Sequence, residues 1–296
     1  PFAIHFALKD FIAYTSDYAL LALLAVGWTW IAARRGPKLQ VGPWFVTRTL
    51  VAMVALTAVS ATWAVDPPYA LYEALRQLVR LGFVLLVINM PIRRIWIVGG
   101  IALSAVVQAV VGLLQVWRGR SLGLAWLGEI ALNPEWSGVS VVMRGQTRWL
   151  RAYGLTQHPN LLGGILAGLL LVLIGAYADR IRVGRRDGVW LLVPYGLGLG
   201  VLLMTFSRGA WLGAAVGGLT LLATAWRAGW RRDQRAVHLG AALVMLTLVI
   251  GAVFVATQWS LLQPRFGFTY QGAEVRSVDE RATLIAGARA LRGIRP

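Results

Sequence analysis

Apolar residues fall along this chain in long uninterrupted runs, and the polar positions are gathered between them. The runs lie at 13–33, 43–65, 74–90, 95–117, 161–178, 189–206, 209–226 and 239–259, each close to the roughly twenty residues that cross a bilayer as a helix. Their hydropathy does not alternate with a period of two, so they do not read as barrel strands. A backbone in hydrocarbon must satisfy its own hydrogen bonds, and a helix does so within one segment. The pattern predicts an all-α polytopic transmembrane helical bundle of about eight spans, forming a single integral membrane domain over 1–296 with outward-facing loops. A polar outer loop is expected at 118–160, and the start of a larger outer loop at 260–296, with a helix over 279–292.

The basic residues follow every second run. Arg34, Arg35 and Lys38 come after the first, Arg93 and Arg94 after the third, Arg180, Arg182, Arg185 and Arg186 after the fifth, and Arg227, Arg231, Arg232 and Arg235 after the seventh. Lys and Arg are retained on the cytoplasmic side, so this alternation turns the segments 63–73, 118–160, 207–208 and everything after 259 outward. It predicts a multi-pass protein of the inner (cytoplasmic) membrane whose working face is periplasmic. Trp28, Trp30, Trp44, Trp63, Trp96, Trp117, Trp226 and Trp259 fall near run ends, as an interfacial aromatic belt does. Glycines four apart (Gly164 and Gly168, Gly196 and Gly200, Gly209, Gly213 and Gly217) suggest close helix packing.

Composition sharpens this reading. Apolar residues make up 58% and charged residues 14%, with a mean hydropathy of +0.65, far from the balance of a water-soluble domain. The net charge of +17 would suit a nucleic-acid binder, but topology accounts for the placement of the arginines, and nucleic acid is not expected as a partner. With no cysteine, and with His5, His158 and His238 far apart, neither a metal site nor a cofactor is expected. The chain begins at Pro1 and stops at Pro296, which reads as a fragment of a longer protein; no cleavable signal pattern is evident.

Three segments carry polar chemistry at the outer edge. The first is Arg151-Ala-Tyr-Gly-Leu-Thr-Gln-His-Pro-Asn160, where the long loop re-enters the membrane. Gly154 permits a tight bend, Pro159 suits a first helical turn, and Asn160 offers an amide at the boundary. The second is Phe206-Ser-Arg-Gly209, whose short turn holds Arg208 near the bilayer surface, either snorkelling to lipid phosphate or gripping an anionic substrate. The third is Glu73, Arg76 and Arg80; Glu73 and Arg76 are spaced to pair, and Arg80 lies about 10 Å further along the helix. Gln108 and Gln115 share a helix face and suit interhelical hydrogen bonds, and Gln115 could also line a site. His158 is a candidate general base, although a lone interfacial histidine is more often a hydrogen-bonding residue.

Taken in order, these segments resemble the bacterial O-antigen ligase and O-antigen polymerase superfamily. The resemblance runs through Trp63-Ala-Val-Asp-Pro67 with Ala70 and Leu71, Val111-Gly-Leu-Leu-Gln115, Arg151-Ala-Tyr-Gly154 with His158-Pro-Asn160, Thr205-Phe-Ser-Arg-Gly209, and Glu280-Arg281-Ala-Thr-Leu284 with Ala288 and Pro296. It covers most of the chain from about Val51 onward. It implies a metal-independent inverting glycosyltransferase that moves a glycan from an undecaprenyl-diphosphate carrier to a lipid or glycan acceptor in cell-surface polysaccharide or lipopolysaccharide biosynthesis. It also implies that Arg151 and Arg208, with Arg80 a weaker third, hold the carrier's diphosphate, supported by Gly154, Pro159, Asn160, Ser207 and Gln115. In the ligases a histidine of the large outer loop is taken as the base. That position lies beyond Pro296, so the fragment is expected to bind carrier lipid without turning it over. The alternatives are a polymerase of the same superfamily, a transporter of the kind labelled bicarbonate transporter, and a membrane scaffold with no activity.

Overall fold

The computed structural model describes residues 3–4, 13–34, 38–184, 186–230 and 233–263. The expected helix at 279–292, the Glu280 segment, most of the loop from 260, His5, Arg35, Arg185, Arg231 and Arg232 lie outside the described residues. The described chain is predominantly helical and forms two compact units, Pro1–Ile97 and Val98–Pro296.

In the first unit a short antiparallel pair, β1 (Ala3–Ile4) and β2 (Ala13–Tyr14), precedes α1 (Thr15–Ala32), α2 (Trp44–Ser60) and α3 (Pro67–Asn89). Asp66 caps α3 by accepting from Tyr69 N–H at 3.1 Å, and Pro67 and Pro68 fill the first turn, where a missing N–H is no loss. These signals start the helix at Pro67, seven residues before the apolar run at 74. At its far end, Asn89 and Gln40 exchange two bonds of 2.8 Å. Both α1 and α2 pack against α3.

The second unit contains most of α4 (Arg94–Arg118), the hairpin β3 (Val141–Arg144) and β4 (Thr147–Leu150), α5 (Pro159–Arg182), α6 (Leu192–Met204), α7 (Arg208–Arg227) and α8 (Gln234–Leu262). The central helix is α5, which packs on α6, α7 and α8. Leu162, Leu166, Leu170, Leu173, Ile174, Tyr177 and Ile181 are buried along it at intervals of three and four. Its neighbours alternate in direction, so the loop 119–158 and the turn 205–207 meet at one end. Arg180, Arg182, Arg227 and Arg235 lie at the other.

Among the described residues four helices, α4, α5, α7 and α8, are long and apolar enough to cross a membrane. Shorter apolar helices occupy Leu20–Ala32, Trp44–Ser60 and Gly188–Met204. Although α3 is long enough, it carries Glu73, Arg76 and Arg80 within its length. The chain is predominantly helical, as expected, and the polar stretch 118–160 also holds the short β3–β4 hairpin. Alternation over four residues each side of Gly145 is too short to stand out beside runs of twenty.

The glycine spacing matches the contacts only in part. A Cβ on Gly164, Gly168, Gly200, Gly209 or Gly213 would meet nothing within 4 Å. The series does mark a close approach at Gly217, where a Cβ would lie 2.6 Å from Leu171 Cδ1, and an ordinary contact at Gly196, while others such as Gly163 and Gly198 belong to no four-residue series. Spacing marks a stripe on a helix, but only the neighbour's position decides whether the stripe is covered.

Candidate functional site

The two arginine segments come together at the loop-bearing end of the second unit. The Arg151 side chain is 4% exposed. Its Nε donates to Thr205 O at 2.6 Å, its Nη1 to Ser140 Oγ at 2.6 Å, and its Nη2 to Asn160 Oδ1 at 2.7 Å. One guanidinium thus ties the turn before α7, the residue leading into β3 and the first turn of α5. The main chain repeats the link, because Ala152 N–H donates to Met204 O at 3.1 Å. A planar fork of five donors suits such a junction better than an ammonium.

The turn joining α6 to α7 is unusual in its backbone. Phe206 has φ +48°, which is uncommon for a residue with a side chain and costs on the order of 1–3 kcal/mol. Its ring is buried and packs against Trp211 and Phe254, with centroids 6.2 and 5.5 Å away, and those contacts hold the conformation. The twist brings Ser207 to the start of α7, where it is buried and makes no side-chain cap bond, and sets Arg208 exposed at the first helical residue. Gly163 lets α5 approach this turn, since a Cβ there would stand 3.1 Å from both Ser207 Cβ and Thr205 Oγ1. The N-termini of α5 and α7 are therefore neighbours, and their dipoles both favour an anion.

A second network holds the Arg151 segment from behind. Gln115 is fully buried; its Nε2 donates to Gly154 O at 2.9 Å and to Glu129 Oε1 at 2.8 Å, and its Oε1 accepts from Tyr153 N–H at 3.3 Å. Gln108 Oε1 accepts from Leu155 N–H at 2.9 Å. Both glutamines thus bond the loop's backbone rather than a neighbouring helix. Glu129 is buried and also accepts from Leu122 and Leu124 N–H, each at 2.7 Å. Gly154 sits at φ +57°, and a Cβ would lie 3.0 Å from Leu162 Cδ1 and collide with Gln108 Oε1. Tyr153 Oη accepts from Ser140 N–H at 2.6 Å; burial lifts its phenol above the ordinary value, opposed by that bond and by the Arg151 charge.

His158 is the N-cap of α5, and Pro159 takes the first position as expected. The imidazole Nδ1 accepts from Asn160 N–H at 3.1 Å. Burial lowers the ring's pKa below the ordinary 6.5, and the Arg151 charge lowers it further. Arg80 is exposed on α3 in the first unit, where Glu73 and Arg76 form the expected ion pair at 3.1 Å. A cavity of about 650 Å³ in the second unit lies at the opposite end, lined by Val189, Asp233, Gln234, Arg235, His238 and Leu239, away from the arginine segments. Among the described residues no cluster of three or more His, Asp or Glu could hold a metal ion.

Glu129, Ser140 and Gly163 were not legible as part of this site, and Thr205 was legible only as a member of its motif, not as the acceptor of Arg151. Glu129 had one signal, as one of two acidic residues in the polar stretch 118–160. Comparison with family models, curated proteins and solved structures returned no match.

Proposed function

We propose that the loop-bearing end of the second unit binds the diphosphate of a polyprenyl-linked glycan, and that the protein is a membrane glycosyltransferase of the O-antigen ligase or polymerase type. The observation that carries this reading is the bond from Arg151 to Thr205 O, which brings two arginine segments from distant parts of the sequence to one junction. Around that junction the α5 and α7 N-termini and the exposed Arg208 supply positive potential. A diphosphate leaving group gains charge as the glycosidic bond breaks, and fixed donors stabilise that charge. In this scheme Arg208 offers its guanidinium to the diphosphate. Arg151, already committed to three protein acceptors, shapes the turn that presents it.

In the proposed topology about eight spans cross the inner membrane, the four long apolar helices joined by the shorter apolar helices and α3. Arg180, Arg182, Arg227 and Arg235 mark the cytoplasmic end, which turns the site toward the periplasm. The acceptor is a lipid or another glycan. The polar groups of the site lie at the loop-bearing end of the second unit rather than at mid-depth, which favours surface chemistry on a lipid-borne substrate over a transporter.

The test is glycan transfer from a polyprenyl-diphosphate donor by the full-length protein in membranes, with Arg208→Ala and Arg151→Ala beside it. Transfer is expected from the wild type and a loss of at least tenfold from Arg208→Ala. Unchanged transfer in both variants would remove the site assignment. Anion uptake into proteoliposomes without glycan transfer would replace the enzyme by a transporter.

A further inference from the structure

We propose that His158 serves this site as a neutral hydrogen-bond donor, presenting its Nε2–H to an oxygen of the diphosphate, and not as a general base. The inference rests on the diphosphate reading above and assigns a role within the same site.

A neutral imidazole carries one N–H and one ring lone pair for accepting. In His158 the lone pair of Nδ1 is committed, because it receives the Asn160 backbone N–H at 3.1 Å. The ring proton therefore resides on Nε2. The Nδ1 bond is also the N-cap of α5, and giving it up would leave an amide of the first turn without an acceptor. The carbonyl of His158 is occupied as well, accepting from Thr156 Oγ1 at 3.0 Å and from Leu161 and Leu162 N–H. Nε2–H is what remains. It has no hydrogen-bond partner among the described residues, and the ring is only half-buried.

This arrangement is a poor one for a general base. A proton taken from a substrate hydroxyl would have to enter at Nδ1, where the Asn160 N–H already sits. The resulting imidazolium would stand beside the Arg151 guanidinium, whose Nη2 holds the side chain of the same Asn160 at 2.7 Å. As a donor, the same ring is well prepared. The cap fixes its tautomer, and the edge contact with Tyr153, with ring centroids 6.4 Å apart, limits its rotation. The neighbouring Arg151 charge favours the neutral ring, which donates its N–H to an anion, over a ring that takes up a second proton. A neutral donor at the start of α5, the helix whose Gly163 approaches the turn before Arg208, adds direction to the binding of a diphosphate, which presents several oxygens of similar charge.

Binding of farnesyl diphosphate to the purified chain in detergent micelles tests this, with inorganic pyrophosphate as a second probe. His158→Asn places an acceptor near Nδ1 and keeps the cap, but does not reach the Nε2 position. His158→Gln places a donor near Nε2. The expected result is a loss of about tenfold in farnesyl diphosphate affinity for the Asn variant, with the Gln variant within about threefold of wild type. Pyrophosphate, lacking the lipid, should bind more weakly than farnesyl diphosphate; binding as tight would overturn the lipid part of the assignment. Imidazole ¹⁵N spectra should show Nε2 protonated and Nδ1 bare in the free protein, with the Nε2 signal moving on addition of farnesyl diphosphate. A proton on Nδ1, or wild-type affinity in the Asn variant while Arg208→Ala is weakened, overturns the inference alone. Failure of the wild type to bind either probe overturns the diphosphate reading and this inference with it.

Discussion

Arg151 Nε donates to the carbonyl oxygen of Thr205 at 2.6 Å, joining residues 54 positions apart. With its bonds to Ser140 and Asn160, the guanidinium closes three chain segments around one buried cation. Arg151→Lys keeps the charge but has no fork to reach three acceptors. It should lower stability by about 2–3 kcal/mol, because the buried Thr205 carbonyl and the less buried Ser140 and Asn160 side chains lose charge-assisted bonds. Thermal unfolding in detergent measures this, and a wild-type midpoint would show that the junction adds nothing.

Glu129 gathers three donors onto one buried carboxylate. Replacing one acceptor oxygen by an NH2 in Glu129→Gln sets a donor against a donor, which should cost about 1–3 kcal/mol. Hydrogen exchange at the Leu122 and Leu124 amides should quicken in this variant, while amides in the middle of α5 stay as protected as before.

The glycines separate conformation from packing. Gly154→Ala must hold φ +57° and push a methyl into Gln108, so a loss of roughly 1–3 kcal/mol is expected. Gly164→Ala lies in helix α5 with nothing within 4 Å of its Cβ and should be neutral or stabilising by up to about 1 kcal/mol. Denaturation of the two variants side by side decides whether backbone sign or glycine spacing governs this region.

His158 predicts a particular pH dependence. Burial and then the Arg151 charge hold its folded pKa below 6.5, so the unfolded chain binds more protons as the pH falls past that value. Its contribution to stability is complete above 6.5 and is lost as the pH drops toward the folded pKa. The charged or titratable groups facing the ring are Arg151, which stays cationic, and Tyr153, whose raised pKa keeps it neutral here. Unfolding midpoints from about pH 8 to about pH 5 should therefore fall more steeply for wild type than for His158→Gln. Parallel curves would show that the ring titrates alike in both states.

Run length and charge placement were enough to find the helices, because burying an apolar run in hydrocarbon depends on composition and length alone. Pro159 and the Asp66 cap with its prolines are local signals of the same kind, set by a missing N–H and a nearby acceptor. The arginine segments could be singled out for their unusual setting, but not joined. What the tertiary structure alone decided is that Arg151 is buried and bonded to Thr205, Ser140 and Asn160 while Arg208 is exposed, that Glu129 anchors the loop through Gln115, and that Gly163 rather than Gly164 meets the turn before α7. Each of those facts depends on which segment stands opposite a residue in space. A hydrogen bond between residues 151 and 205 leaves no periodic trace in the order of the amino acids between them.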